Sequence, residues 1–422
     1  MIRRIIIFII IILVVLAGWL VWSSYFTKPV NPNEFMEEEG GFFSRFNPFS
    51  SSTPATPSTP TSEKPEGETE NGDNTRTQLE RVSDLPVAGF IVFQKERFRE
   101  GETPTEFAPA LRYVDRVYGH VYQTFADQID ERKLSSTEIL GVYEAYFGNK
   151  AISVIMRYLK SDDKMIETLV GSLPQDILGG DISENGEITS SFLPANITDL
   201  SVSADGSRVF YLFNTGTSAE AAIGTTLELA SGKRTQVFDS PFTEWLSSWP
   251  NLKIITLTTK PAATVPGYMY FLDPATKNLV RVLGEINGLT TLTSPSGKMV
   301  LYSENNLSTF IYHTDTKTSE PAGVRTLPEK CVWSKSDTAI YCAMPIATGG
   351  INYPDSWYRG EVSFSDQIWK INLESGITEI IADPTSESSL FIDAIKLALD
   401  ENERYLFFIN KKDSSLWKLG LE

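Results

Sequence analysis

Histidine and cysteine are nearly absent: the 422-residue chain holds two of each. His120 in YGHVYQT and His313 in FIYHTDT stand far apart inside strand-like patterns, so a histidine-based zinc site or a Ser-His-Asp triad lacks its parts. No GxSxG elbow, HExxH pair, phosphate-binding loop or GxGxxG turn occurs either. The expectation is a chain with no catalytic constellation, no metal and no cofactor. Basic residues are also in deficit. The net charge is −17 and no basic stripe interrupts it, which excludes nucleic acid as a natural partner and leaves solubility, or cationic partners, as the meaning of the acidity. Two cysteines are too few for a disulfide framework.

Long uncharged runs are rare, with one exception at the start. Ile5 to Trp22, IIIFIIIILVVLAGWLVW, carries no charge and as a helix would span roughly 27 Å, close to the hydrocarbon thickness of a bilayer. Arg3 and Arg4 precede it and Glu34, Glu37, Glu38 and Glu39 follow, so the expected topology is a single pass with the N-terminus cytoplasmic and the rest outside the cell membrane. A cleaved signal peptide is the alternative, opposed by bulky Trp19, Trp22 and Tyr25 where small residues belong. The expected division is 1–26 for the cytoplasmic stub and transmembrane helix, 27–76 for a Pro/Ser/Thr/Glu-rich tether, and 77–422 for the folded domain. Fully stretched, the tether reaches at most ~165 Å. One aromatic cluster interrupts it, GGFFSRFNPF with Phe42, Phe43, Phe46 and Phe49.

The rest of the chain repeats itself. SADGSRVFYL, SPSGKMVLYS, SKSDTAIYCA, SWPNLKIITL and LDENERYLFF each read as a strand, a tight turn and a second β-branched or aromatic strand. Their turns, at Gly206, Asn251, Gly297, Asp337 and Asn402, recur about every 40 to 50 residues, with an insertion before the last. A third strand, a polar turn and a fourth strand follow, as in IWKINLESGITEII. Four-stranded meanders at this period are the pattern of propeller blades, which bury both faces only by stacking. The final unit stops after its third strand, while LERVSDLP at 79–86 resembles a fourth strand with none before it. The expectation is therefore an all-β propeller of seven four-stranded blades whose N-terminal strand closes the last. Six or eight blades stay open, since the first two units fit the pattern loosely. Through its SADG, SPSG and SKSD turns and IWKINLESG-type strands, the region from about 78 to 422 resembles TolB-like and WD-repeat propellers.

Three local features stand out, two as candidates for function and the third, a cysteine pair, as structure. The insertion ATGGINYPDSWYRGEVSFSDQIW places Tyr353, Asp355, Trp357, Tyr358 and Arg359 between the second and third strands of one blade, on a propeller face, and these residue types dominate binding hot spots. The alternative is that its aromatics fold inward and cap the ring. DISENGEITSSF offers Asp181, Ser183 and Asn185 in the order of a calcium loop but ends in Phe192, where a bidentate Glu is required, so a plain Asn-Gly turn competes. Cys331 and Cys342 fall opposite one another on paired strands, either as a disulfide or as two packed thiols. Together these point to a membrane-anchored extracytoplasmic binding scaffold for a protein or cell-envelope component. A carbohydrate-binding or carbohydrate-cleaving propeller is the alternative.

Overall fold

The computed structural model describes residues 79–97, 106–160, 164–174, 186–216, 221–349 and 352–421. The N-terminal hydrophobic run, the tether with its aromatic cluster, and the calcium candidates Asp181, Ser183 and Asn185 lie outside them. Among the described residues no helix is long and apolar enough to cross a membrane. All strands belong to one compact unit, Asp73–Glu422.

Seven antiparallel four-stranded sheets form the propeller. Blade 1 comprises Val87–Arg97, Glu106–Asp115, Val121–Phe125 and Arg132–Lys133, and blade 2 comprises Val142–Gly148, Ser153–Leu159, Ile166–Ser172 and Thr189–Phe192. Blade 3 is Ile197–Val202, Arg208–Asn214, Ala222–Glu228 and Arg234–Ser240; blade 4 is Trp245–Asn251, Ile254–Thr259, Pro266–Leu272 and Leu279–Asn287. Blade 5 is Thr290–Thr293, Met299–Ser303, Ser308–His313 and Thr318–Arg325; blade 6 is Cys331–Trp333, Ala339–Pro345, Asp366–Asn372 and Thr378–Ala382. Blade 7 takes Ala394–Leu399, Tyr405–Asn410 and Leu416–Gly420 from the C-terminus and its outer strand, Leu79–Arg81, from the other end of the domain. Leu79 pairs with Leu419 and Arg81 with Trp417, so first and last strands close the ring as the sequence predicts.

The runs VFYL, AIYCA and YLFFI are apolar without alternation because each blade's second strand is buried on both sides. In blade 3, Val209 and Tyr211 pack toward blade 2 while Phe210 and Leu212 pack toward blade 4. In blade 7, Leu406 and Phe408 join blade 6 while Phe407 and Ile409 join Leu111 and Tyr113 of blade 1. Every neighbouring pair of blades shares such a cluster, including blades 7 and 1. A pleated strand sends successive side chains to opposite faces, and stacking turns that alternation into a continuous core. Within the cluster between blades 5 and 6, Cys331 and Cys342 are registered across the first two strands and joined by a disulfide.

The hairpin turns share one local device. In SADG, SPSG, SKSD and DENE the first residue accepts, on its side-chain oxygen, the backbone N–H five residues on: Arg208 to Ser203, Met299 to Ser294, Ala339 to Ser334 and Tyr405 to Asp400. The fourth residue, Gly206, Gly297, Asp337 or Glu403, has positive φ and donates its N–H to the first residue's carbonyl. Two expected turn residues shift. In blade 7 Glu403, not Asn402, takes the positive φ, and in blade 4 Asn251 stays in its strand opposite Ile254, leaving Leu252 and Lys253 as a tighter turn.

Candidate functional site: the strapped face and its channel

Successive antiparallel strands alternate direction, so the turns between strands one and two, and three and four, lie on one face, and the remaining connections on the other. The described part of the long connection of blade 6, residues 346–349 and 352–365, lies over that second face as a strap. The Asp355 carboxylate accepts from the Ala263 N–H of blade 4, the Tyr353 N–H donates to the Asn305 carbonyl of blade 5 at 3.3 Å, and Lys411 of blade 7 donates to the Trp357 carbonyl at 2.7 Å. Asn305 also donates to the Ala263 carbonyl at 2.8 Å, so the connections of blades 4 and 5 are tied to each other as well.

This geometry corrects part of the candidate list. Tyr353 and Trp357 are 2% and 3% exposed, packed with Leu307, Leu327 and Phe364, and so are not free anchors. The reason is the Trp357 indole N–H, which donates to buried Asp393 at 3.0 Å and draws the ring inward, where it stacks on Phe364. Asp355 is committed to the strap's attachment. Tyr358 and Arg359 stay exposed, Arg359 paired with Glu361 at 2.7 Å.

Beneath Trp357 lies a buried ammonium. Lys330, fully inaccessible, donates to Asp366 at 2.8 Å, to Asp393, and to the Ala394 carbonyl at 3.0 Å, and its nitrogen is 5.3 Å from the ring centres of both Trp357 and Phe364. Two carboxylates compete for one cation. Burial pushes Asp366 up to about 6. For Asp393 burial works the same way, but Lys330 and the N–H groups of Phe364 and Trp357 outweigh it and hold that carboxyl below its ordinary value. Lys330 and Asp393 each directly precede the innermost strand of a blade, a shared position that is visible in the sequence once the blades are aligned.

At the channel mouth a cavity of about 330 Å³ opens between the innermost strands of blades 2 to 5 and the strap. Tyr146, Asp199, Ser247, Thr291, Glu329 and Tyr358 are among its lining residues. Asp199 accepts on Oδ2 from both the Ser247 N–H and hydroxyl at 2.6 Å, while Glu329 accepts on Oε1 from the Tyr358 hydroxyl. Oδ1 of Asp199 and Oε2 of Glu329 make no hydrogen bond among the described residues. Burial in the channel wall pushes Asp199 up to about 6 and Glu329 up to about 7, against the opposing bonds from Ser247 and Tyr358. Sequence reasoning missed both acids. Asp199 reads as a lone acid within the first strand of blade 3, and nothing local marks it as facing the channel.

Of the histidines, His120 is buried beside Asp115 and Lys133, and His313 pairs with Glu320 at 3.0 Å. Among the described residues no group of three or more His, Cys, Asp or Glu side chains is placed to hold a metal ion.

No protein-family profile matches the chain, and no curated protein matches it by sequence. Solved structures do share the fold. An oligogalacturonate lyase from Vibrio parahaemolyticus superposes with a TM-score of 0.53 at 9% identity, over 83% of this chain and 95% of that one. An oligogalacturonate lyase in complex with manganese gives 0.50 at 9%, over 80% and 99%. The tricorn protease gives 0.49 at 10%, over 79% of this chain and 34% of that one. At such identities the likeness is one of fold alone.

Proposed function

We propose that the chain is a membrane-anchored, extracytoplasmic propeller that acts as a non-enzymatic binding scaffold, engaging a protein of the cell envelope through its strapped face. The observation that carries this reading is the distribution of exposed apolar side chains. Tyr118, Leu140, Phe242, Val265, Ile346 and Phe391 stand exposed on connections of the strapped face, against Ile152, Leu252 and Ile377 on those of the turn face. A surplus of large exposed apolar residues on one face of a rigid scaffold favours protein contact there.

Photo-crosslinking residues placed in cells at Ile346, at Phe391 and, on the turn face, at Lys317 test the assignment. One partner captured from both strapped-face positions and not from Lys317 is the expected result; capture from Lys317 alone overturns it. The anchor is tested separately: the chain should resist alkaline extraction from membranes, and deletion of Ile5 to Trp22 should release it.

A second reading, carbohydrate binding or cleavage, is favoured by Asp199 and Glu329 sharing one cavity with raised carboxyl pKa values, since glycosidic chemistry uses one acid and one base. A screen of envelope glycans and acidic oligosaccharides decides it. Turnover abolished by Glu329→Gln supports it, and absence of both binding and turnover removes it.

A further inference from the structure

The molecule already shows how it holds a desolvated ammonium. Lys330 sits between two carboxylates, Asp366 and Asp393, with two aromatic rings, Trp357 and Phe364, at 5.3 Å. Such a set compensates an ammonium for lost water: charge-assisted hydrogen bonds on one side, ring quadrupoles on the other. The channel cavity brings together the same set, two carboxylates from Asp199 and Glu329 and two rings from Tyr146 and Tyr358. Among its lining residues there is no lysine or arginine.

Each carboxylate there is held by one oxygen only. Ser247 fixes Asp199 through Oδ2, Tyr358 fixes Glu329 through Oε1, and the second oxygens have no hydrogen bond among the described residues. The cations of the chain that bear on the two acids are bonded elsewhere: Lys330 to Asp366 and Asp393, and Lys411 to the Trp357 carbonyl. Lys396 contacts the Tyr146 ring at 5.6 Å while donating to the Ala88 carbonyl at 3.3 Å and pairing with Glu144 at 3.8 Å. Arg157 is tied to Glu144 and to the Ile197 carbonyl.

We infer that the channel cavity is a binding site for a primary alkylammonium group, taken between Asp199 and Glu329 against the rings of Tyr146 and Tyr358. A neutral sugar would leave two carboxylates desolvated without a cation bonded to either, and an anion would be repelled. The cavity's 330 Å³ admits an ammonium together with its alkyl stem. Two sources share this chemistry: a lysine side chain of a bound protein and a free diamine. The inference goes beyond the partner reading and rests on it only for the molecule that carries the amine.

The site should be pH-sensitive. The groups facing Asp199 are Ser247, Glu144 and Arg157, and those facing Glu329 are Tyr358, Lys330 and Lys411. With ordinary values exceeded in both acids, acidification from pH 8 to pH 5 protonates first Glu329 and then Asp199 and removes the charge that binds the cation.

The test is calorimetric titration of the full-length chain with cadaverine, with a lysine-containing peptide, and with the same peptide acetylated on the lysine nitrogen. An amine that binds, an acetylated peptide that does not, and affinity falling about tenfold or more in Asp199→Asn and in Glu329→Gln are expected. Binding of cadaverine alone identifies the free diamine as the source, and binding of the peptide alone identifies the side chain. If a variant loses its fold, the pH profile of the unaltered chain decides, and equal affinity at pH 8 and pH 5 overturns the inference. So does absence of amine binding, or amine binding unchanged in both variants. Cadaverine binding with no partner crosslinked would leave this site standing and the partner reading fallen.

Discussion

The propeller's two faces are built from the same chain by the same repeat, yet they use their polar groups differently. On the turn face, neighbouring hairpins satisfy one another. The Asn149 N–H donates to the Gly206 carbonyl, Asn251 donates to the Pro295 carbonyl, and Asp337 accepts from the Ser294 hydroxyl and the Ser296 N–H. On the strapped face, long connections bury a charged cluster, leave apolar side chains exposed, and frame a cavity whose acids are half satisfied. A face whose groups pair internally contributes to stability. One that leaves acceptors and apolar surface unpaired is suited to binding.

Removing the buried ammonium should break that contrast most severely. Lys330→Ala strands Asp366 and Asp393 without a counter-ion, and denaturant unfolding should report a loss of about 3–5 kcal/mol. Because Trp357 shares Asp393 with Lys330, its fluorescence should also shift to the red as the strap loosens. Unchanged stability and emission would mean that the cluster does not hold the strap.

A smaller effect follows from the cavity acids. Their folded pKa values lie above those of free carboxyls, so between roughly pH 7 and pH 5 the folded chain binds more protons than the unfolded one. Stability should therefore rise as pH falls through that window. Further acidification reverses the trend as carboxyls held below their ordinary values, such as Glu144 and Asp393, are protonated. Melting temperatures measured across the range should show the rise, and Asp199→Asn combined with Glu329→Gln should reduce it to the share that Asp366, also raised to about 6, contributes.

The smallest effect belongs to the turn face. Gly232 and Gly376 occupy, in blades 3 and 6, the positive-φ position that Lys277 and Lys317 hold in blades 4 and 5. Glycine adopts that conformation without the steric cost of a Cβ, so Lys317→Gly should gain up to about 1 kcal/mol in denaturant unfolding without altering any binding measured at the strapped face. A loss of binding would show that the two faces are coupled.

The turn face was largely legible in the sequence, because its determinants are local. A serine or aspartate five residues before the amide it caps, and a glycine where φ is positive, recur within each hairpin and can be recognised one hairpin at a time. Where the register departed, at Asn251 and Asn402, the cause was a turn one or two residues different in length or phase, which hydrophobic pattern alone does not fix. Ring closure was legible because a third strand without a fourth and a fourth strand without a third require each other. The strap was legible as an insertion but not as a lid. Trp357 is turned inward by Asp393, 36 residues away along the chain, and by an ammonium on a different connection.

By itself, the sequence determined the blade: second strands apolar on both faces, turn chemistry at fixed offsets, and two half-finished ends that complete each other. Tertiary structure alone decided the site. Asp199 and Glu329 share a cavity only because blade 3 and the connection between blades 5 and 6 face a common channel, and the charges that tune them come from blade 2, from blade 7 and from Lys330 beside Glu329. Backbone preference and apolar periodicity act over a few residues and leave a mark in the order of the chain. The electrostatic environment of a carboxyl is summed over everything within several ångströms of it, and that neighbourhood does not exist until the ring has closed.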